Sequence, residues 1–373
     1  MQFKGWAVLA AAAFAATQAA QAAQVVVGQV APLSGLEATQ GRAYSAGMQL
    51  YFNAVNKAGG VNGHTFTLVK RDDHGRPEDT VSQTQAMLAE DRPTVLAGFF
   101  GSKNIAQLLA SGMLDRERLA LVGYRTTELR PHAPQLYNVR ATLRDELNKM
   151  TEHLATIGIT RLGLFYEDGA GAGALLQAAD EAAQKAHARI VLKASYAAGT
   201  ARANQAAEAF LRDTPQAILL ISSGAAAAAF IEQYRAGGGG AQLFAHSGAD
   251  IEQMSRRLSE EQMSGVAIAQ VTPSPYKISG RLAKEFTDLV AKTPGTDAAV
   301  SYPMMEGFIA AKVIVEAVRR QGAKPSREGM AHALDALDDV DLGGYRIGFR
   351  PDQHNGSRFV ELSIVSGSGK IRQ

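Results

Sequence analysis

The residues V-A-P-L-S-G-L-E-A-T-Q-G (30–41) and, after a helix-like run, K-A-G-G-V-N-G-H-T-F-T-L-V-K-R-D-D (57–73) decide how this chain folds. An apolar strand at 25–30 ends in a Pro-Ser-Gly loop, and the loop feeds a helix. Along that helix Tyr44, Met48, Phe52 and Val55 recur at three-to-four-residue spacing, so one face is apolar. Gly59 and Gly60 stop the helix, because glycine tolerates the left-handed conformation a helix end needs. Asn62-Gly63 turns the chain into a second strand, 65–71, which ends on Asp72 and Asp73. The result is one strand–helix–strand unit with a polar loop at the carboxyl end of its first strand, where open α/β sheets bind ligands.

Outward from that unit, strand and helix patterns alternate to the end of the chain, which argues for parallel sheets with helices on both faces. Strands are expected at 94–98, 119–122, 136–139, 162–166, 190–194, 217–221, 242–245 and 265–271. Helices are expected at 78–90, 103–115, 145–157 and 225–236, with a long one at 302–320. Residues 346–349 and 359–365 read as a terminal strand pair. One sheet of ten or more strands is unusual, so the pattern favours two lobes. The chain can cross between them at Arg140-Ala141, at Thr272-Pro273-Ser274-Pro275 and at Leu342-Gly343-Gly344. The fold class expected is therefore α/β, with two doubly wound parallel-sheet lobes.

Composition narrows the function. The chain has 373 residues, 46% hydrophobic and 20% charged, an ordinary globular balance that easily supports a buried core. A net charge of +2 without a long basic run argues against a nucleic-acid role. Residues 1–22 read as a signal peptide: Lys4 is followed by an apolar run at 6–16, too short to span a bilayer, and then by Ala20-Gln21-Ala22. There is no cysteine, so an exported chain has to rest on its core without disulfides.

The ordered set P-L-S-G, helix, A-G-G-V-N-G and strand ending in D-D resembles the start of bacterial solute-binding proteins of the branched-chain amino acid type, the extracytoplasmic receptors of ABC importers. The likeness runs through most of the mature chain, with looser motifs after about Tyr196. It implies a type I periplasmic binding protein fold whose three crossing strands act as a hinge. The first lobe would be 23–140 plus 273–341, and the second 141–272 plus 342–373. It also implies a soluble, monomeric receptor in the periplasm, with an inner-membrane ABC permease as partner and no metal or cofactor. The absence of a Cys at the cleavage site separates it from lipid-anchored relatives. A sensor subunit that presents the same solute to a signalling receptor is the alternative within the binding class.

The candidate site falls on loops after strands. Ser102 opens a helix, where its hydroxyl and the free backbone N–H groups can cap the helix or receive a carboxylate. The resemblance implies the second role. Lys103, in the first turn, opposes the helix dipole unless an anion relieves it. In the next loop the resemblance implies a backbone amide from Gly123 or Tyr124 and a hydroxyl from Thr126. Arg125 stands where relatives carry a small polar residue, and it can pair with a ligand carboxylate or with Glu128. Gln40 sits before the first helix, opposite the same cleft, in place of an aromatic. In the second lobe Gly171 stands where relatives stack an aromatic on the ligand. Ser247 stands where they place an acid for the ligand's ammonium, with Asp250 three residues on. Serine cannot supply that charge, and an unpaired buried ammonium costs several kcal/mol, so a carboxylate without an amino group fits these residues at least as well. Ser222 and Ser223 are rim candidates, and Tyr302 suits either the hinge or the core.

Enzymatic readings find little. Gly169-x-Gly171-x-x-Ala174 matches a dinucleotide fingerprint poorly, with Lys193 where an acid is needed. No Gly-x-Ser-x-Gly elbow marks a hydrolase. His246, Ser247 and Asp250 are triad residue types, but neighbours in sequence rarely assemble one. The eight histidines show no metal-binding spacing. The chain is therefore expected to bind without catalysing.

Overall fold

The computed structural model describes residues 24–129, 132–295 and 298–366, with the backbone of 371–372. The expected signal peptide lies outside the described residues. The first sheet contains β1 (Gln24–Ala31), β2 (Thr65–Asp72), β3 (Val95–Phe100), β4 (Leu121–Arg125) and β5 (Leu136–Tyr137). Its order is β2-β1-β3-β4-β5, and every pairing is parallel. The second sheet contains β6 (Arg161–Asp168), β7 (Arg189–Ala197), β8 (Ala217–Ile221), β9 (Gln242–Ala245) and β10 (Ala267–Gln270). A hairpin of β11 (Val340–Asp341) and β12 (Arg346–Ile347) follows, and then β13 (Glu361–Val365) and β14 (Ile371–Arg372) complete that sheet. Its order is β14-β13-β10-β9-β8-β6-β7, with only β13 and β14 antiparallel. Two doubly wound lobes are thus present.

The opening helix, Ala38–Lys57, packs along the late helix Tyr302–Gln321 over one face of the first sheet. Their closest approach needs glycine on both sides. A β-carbon on Gly47 would run into the Met304 carbonyl, and one on Gly307 into the Tyr44 carbonyl. This contact ties the end of the chain to its start and builds the largest apolar core, around Tyr44, Phe52, Phe308 and Ile309.

Two expectations about the last hundred residues need correction. Residues 346–349 and 359–365 do not pair with each other: β12 pairs with β11, and β13 joins β10 in the second sheet. Tyr345, Ile347 and Phe349 are all buried and alternate along the chain, so that strand spends its apolar face on the first lobe's core. The glycines at 343 and 344, both with positive φ, make the β11–β12 turn rather than a crossing. The third passage between sheets comes after Phe349. The helix expected at 103–115 also breaks, at Gly112 (φ 65°), into Ser102–Ala110 and Met113–Arg116.

The passages between lobes are fastened together. Asn138 accepts the Gly356 N–H at 2.8 Å and donates its own N–H to the His354 carbonyl at 2.8 Å, joining the first passage to the third. The fully buried Tyr345 hydroxyl lies 2.8 Å from the Val139 carbonyl, on the first passage, and 3.1 Å from that of Val271, on the second.

Candidate functional site

Strand tips from both sheets enclose a cavity of about 550 Å³. The first lobe contributes the loops after β1, β2, β3 and β4, and the second lobe those after β6, β7, β8 and β9. Every wall is thus a carboxyl end of a parallel strand, where helix N-termini point inward.

Ser102 is the first residue of its helix, and Gly101 (φ 95°) takes the cap position, with no side-chain cap bond. The cap position itself thus falls on Gly101 rather than on Ser102. Its hydroxyl lies 2.9 Å from both the Thr126 and the Thr127 hydroxyls and accepts the Thr127 N–H at 3.1 Å. Three hydroxyls and a helix N-terminus meet on one wall, with Lys103 beside them.

Gln40, Ser102, Arg125, Thr126 and Ser223 line the cavity, while Gly123, Tyr124, Gly171 and Ser247 do not. Gly123 (φ 73°) lies against the Tyr44 hydroxyl, which a β-carbon would strike. Tyr124 faces a second cavity, of about 410 Å³, on the hinge side with Asn138, Thr142 and Glu146. Gly171 donates its N–H to Glu128 at 3.3 Å across the lobes, and a side chain there would collide with that acid. Ser223 caps the helix Gly224–Ala236 and donates its own N–H to the Tyr196 hydroxyl at 2.9 Å.

Arg125 lines the cavity but does not pair with Glu128. It is buried, donates to Gln40 and to the Ser247 carbonyl (3.1 Å), and lies 3.4 Å from Glu306. Behind it Arg140 pairs with Glu146 (3.0 Å) and Glu306 (3.5 Å) and bonds the Ser247 hydroxyl. Glu146 in turn accepts the Ser247 N–H at 2.6 Å and its hydroxyl at 3.0 Å. Position 247 is thus held by a buried network of two arginines and two glutamates that joins the lobes. Asp250 caps the helix Ile251–Arg257, and it too lies away from the cavity.

Besides the exposed Glu78 at the rim, two half-buried acids in the cavity wall were not singled out in the sequence. Glu37, before the first helix, gives Oε2 to Gln40 (2.7 Å), while its Oε1 is buried without a hydrogen-bond partner. Burial pushes its carboxyl up to about 7, and Asp250 adds to the rise, although the Ala225 amide, Arg125 and Ser223 pull the other way. Glu167, at the end of β6, receives the Thr127 hydroxyl at 2.7 Å and that of Tyr196 at 3.4 Å. Burial raises it as well, with Glu128 adding to the shift. The available signal was their place at strand and helix ends, which many solvated acids share.

The arrangement suits capture better than covalent chemistry. His246 donates Nε2–H to the Ser222 carbonyl at 2.9 Å, because Nδ1 accepts the Gly248 N–H at 3.3 Å. Burial holds its pKa down to about 4, so the ring is neutral at pH 7. The ring is thus engaged away from the Ser247 hydroxyl, and no triad forms from these neighbours. Among the described residues no three His, Asp or Glu side chains are grouped to hold a metal ion. In the same residues no helix is long and apolar enough to cross a membrane.

Residues 24–368 match the periplasmic binding protein family. A substrate-binding periplasmic protein from Ralstonia solanacearum has a similar solved structure, with 36% identity, a TM-score of 0.87, and coverage of 94% of this chain and 99% of that one. A branched-chain amino acid ABC transporter structure from Thermus thermophilus with bound valine shares the fold at 15% identity, with a TM-score of 0.79 and coverage of 94% and 95%. An amino acid binding protein from Pseudomonas aeruginosa is 31% identical over 101 residues, which is 27% of this chain and 27% of that protein. The interlobe cavity, the sheet topology and these likenesses agree: the chain belongs to the periplasmic binding protein family and has the type I periplasmic binding protein fold.

Proposed function

We propose that this protein is a periplasmic receptor that captures a small carboxylate-bearing solute, an amino acid or related organic acid, and delivers it to an ABC importer in the inner membrane. The observation that carries the reading is the wall formed by Ser102, Thr126 and Thr127 at a helix N-terminus inside an interlobe cavity. Hydroxyls, unpaired amide N–H groups and the positive end of a helix receive a carboxylate without a metal or cofactor. The solute docks first on this wall. Hinge motion about the three passages then brings Glu167 and Ser223 over it and excludes water. The permease reads the closed form. Residues 1–22 direct export, and the lobes divide near 140 and 272 and then beyond Phe349. The amino acid binding protein and the valine-bound transporter structure among its relatives support the solute class, and the transport role follows from the family likeness.

Native mass spectrometry of the purified protein, followed by thermal-shift screening of amino acids and aliphatic or aromatic acids, tests this reading. A carboxylate that co-purifies and raises the melting temperature is expected. Recovery of the captured compound in chemically altered form, or no response to any carboxylate, would overturn it.

A further inference from the structure

Away from the hinge the lobes are fastened again, at one lip of the cavity. The helix Ile251–Arg257, which follows β9 in the second lobe, meets the start of the opening helix and the start of the late helix there. Gln253 accepts from the Gln40 side chain at 2.9 Å and donates to the Leu36 carbonyl at 2.9 Å. Glu252 reaches across with one oxygen: Oε1 accepts the Tyr276 hydroxyl at 2.6 Å and the Tyr302 N–H at 2.9 Å. Its Oε2 is buried without a hydrogen-bond partner among the described residues, and so is Oδ2 of Asp250, a residue 3% exposed. The two acids are hydrogen-bonding neighbours, for Oδ1 of Asp250 takes the Glu252 N–H at 3.0 Å and the two side chains bond each other. Two bare carboxylates this close and out of water are costly, whereas one proton satisfies both orphan oxygens with a charge-assisted O–H···O bond. Burial raises the Glu252 carboxyl to about 8, and the charge of Asp250 and the bond to it add to the rise, against the pull of Tyr276 and Tyr302. The surrounding charges leave the pair uncompensated. Arg125 lies by Glu306, Arg256 donates to the Thr39 hydroxyl at 3.4 Å, and Arg257 pairs with Glu232 at 2.7 Å. Glu37 across the lip is itself an acid that feels Asp250, and Glu260 and Glu261 on the next helix are exposed.

We propose that Asp250 and Glu252 hold one proton between them when the lobes close, so that capture of the solute takes up a proton from the medium. The inference rests on the receptor role proposed above, in which capture goes with closure, and it gives neither acid a contact with the solute. The step is a proton transfer alone: water supplies the proton, the Oε2–H bond of Glu252 forms on closing, and it breaks on opening. When the lobes part, Tyr276 and Tyr302 leave Glu252 and water reaches both acids, so the Glu252 carboxyl returns toward its ordinary 4.5. Between about 4.5 and about 8 the closed form is therefore protonated and the open form ionised, and rising pH through that window disfavours closure. Capture weakens by up to about tenfold for each pH unit over which one proton is taken up. The pair thus makes the receptor grip more tightly in acidic surroundings and let go more readily as they turn alkaline.

Isothermal titration with the twenty proteinogenic amino acids and their deaminated acids decides the matter. Each compound that binds is titrated in phosphate and in Tris at about pH 7.2, and the difference in heat counts the protons taken up. The wild type should take up about one proton per solute, and its affinity should fall at least about fivefold from pH 6 to pH 8. Glu252→Gln mimics the protonated acid, since its carbonyl still accepts from Tyr276 and Tyr302 and its amide donates to Asp250. Uptake should drop by about one proton in this variant, and its affinity at pH 8 should equal or exceed that of the wild type. Binding without uptake in the wild type overturns the inference and leaves the receptor reading intact, as does unchanged uptake in Glu252→Gln. Binding of none of these compounds overturns that reading and this inference with it. Should Glu252→Gln fail to fold, Asp250→Asn keeps a helix cap and removes the charge that holds the proton. The same loss of uptake is expected there, and unchanged uptake overturns the inference.

Discussion

The hinge network and the cavity wall are built from the same residue types, yet they treat charge in opposite ways. At the hinge, Arg125, Arg140, Glu146 and Glu306 form a closed set, and Ser247 is locked among them by its amide, hydroxyl and carbonyl. In the wall, Glu37 and Glu167 face the cavity with no salt bridge to a cation among the described residues. A buried carboxyl without a cationic partner is costly to ionise, and a chain keeps one where something outside it repays the cost. The contrast separates residues that hold the lobes together from residues that read the solute. If it is correct, damage at the hinge lowers stability whatever the ligand, and damage in the wall lowers affinity with little loss of stability.

The strongest test is at the hinge. Glu306 is 1% exposed and serves both arginines, so Glu306→Ala leaves two buried guanidinium groups short of an acceptor. Removing one partner from a buried ion set typically costs about 3–5 kcal/mol. Urea unfolding should show a loss of this size. A change within experimental error would mean that the network is hydrated and the contrast with the wall is false.

The next test uses pH. The Glu37 carboxyl sits near 7 when folded, against an ordinary 4.5, so the folded protein keeps a proton that the unfolded chain has released. Stability from this group is therefore lost as pH rises from about 4.5 to about 7. Glu37→Gln removes that dependence. Its stability relative to wild type should improve between pH 5 and pH 7.5, by about 1–3 kcal/mol. Glu252, raised to about 8 by burial and Asp250, slopes the same way in both proteins and drops out of the difference. Parallel pH profiles would place Glu37 among the compensated groups.

A smaller effect is expected at Ser102. Ser102→Ala removes one hydroxyl from the wall, and affinity for a captured carboxylate should fall about tenfold, or about 1.4 kcal/mol. Thermal stability should change little. Lost stability with unchanged affinity would make the hydroxyl cluster structural.

How much of this was visible in the sequence follows from the range of each signal. The strand–helix–strand unit at 25–72 was legible because its apolar periodicity and glycine stops are local, and β8 and β9 match their expected bounds for the same reason. The chain's return after residue 340 was not, since Tyr345 and Phe349 carry an alternating pattern that either lobe could bury. Ser102 and Thr126 were visible as strand-end hydroxyls next to a helix start. Glu37 and Glu167 looked like solvated acids, because only the folded cavity removes water from them. The pairing of Arg125 with Glu128 was misread for a related reason. The partners of Arg125 (Gln40, Ser247 and Glu306) are far away in sequence, and Glu128, three residues on, was the nearer acid to consider.

The last prediction asks whether the hinge side is rigid or merely paired. The Tyr345 hydroxyl is buried between the Val139 and Val271 carbonyls, on two of the three passages, and cannot donate fully to both. Tyr345→Phe keeps the ring in the core and leaves those carbonyls without their donor, a loss of about 1 kcal/mol in a typical case. If the passages turn as a unit about this point, that loss falls on open and closed forms alike, and solute affinity stays within about twofold. If the hydroxyl instead favours one lobe arrangement, affinity moves by as much as stability, since a ligand feels only the difference between the two forms. Equal changes in both would mean that the hinge takes part in reading the solute, and the division between holding and reading would no longer stand.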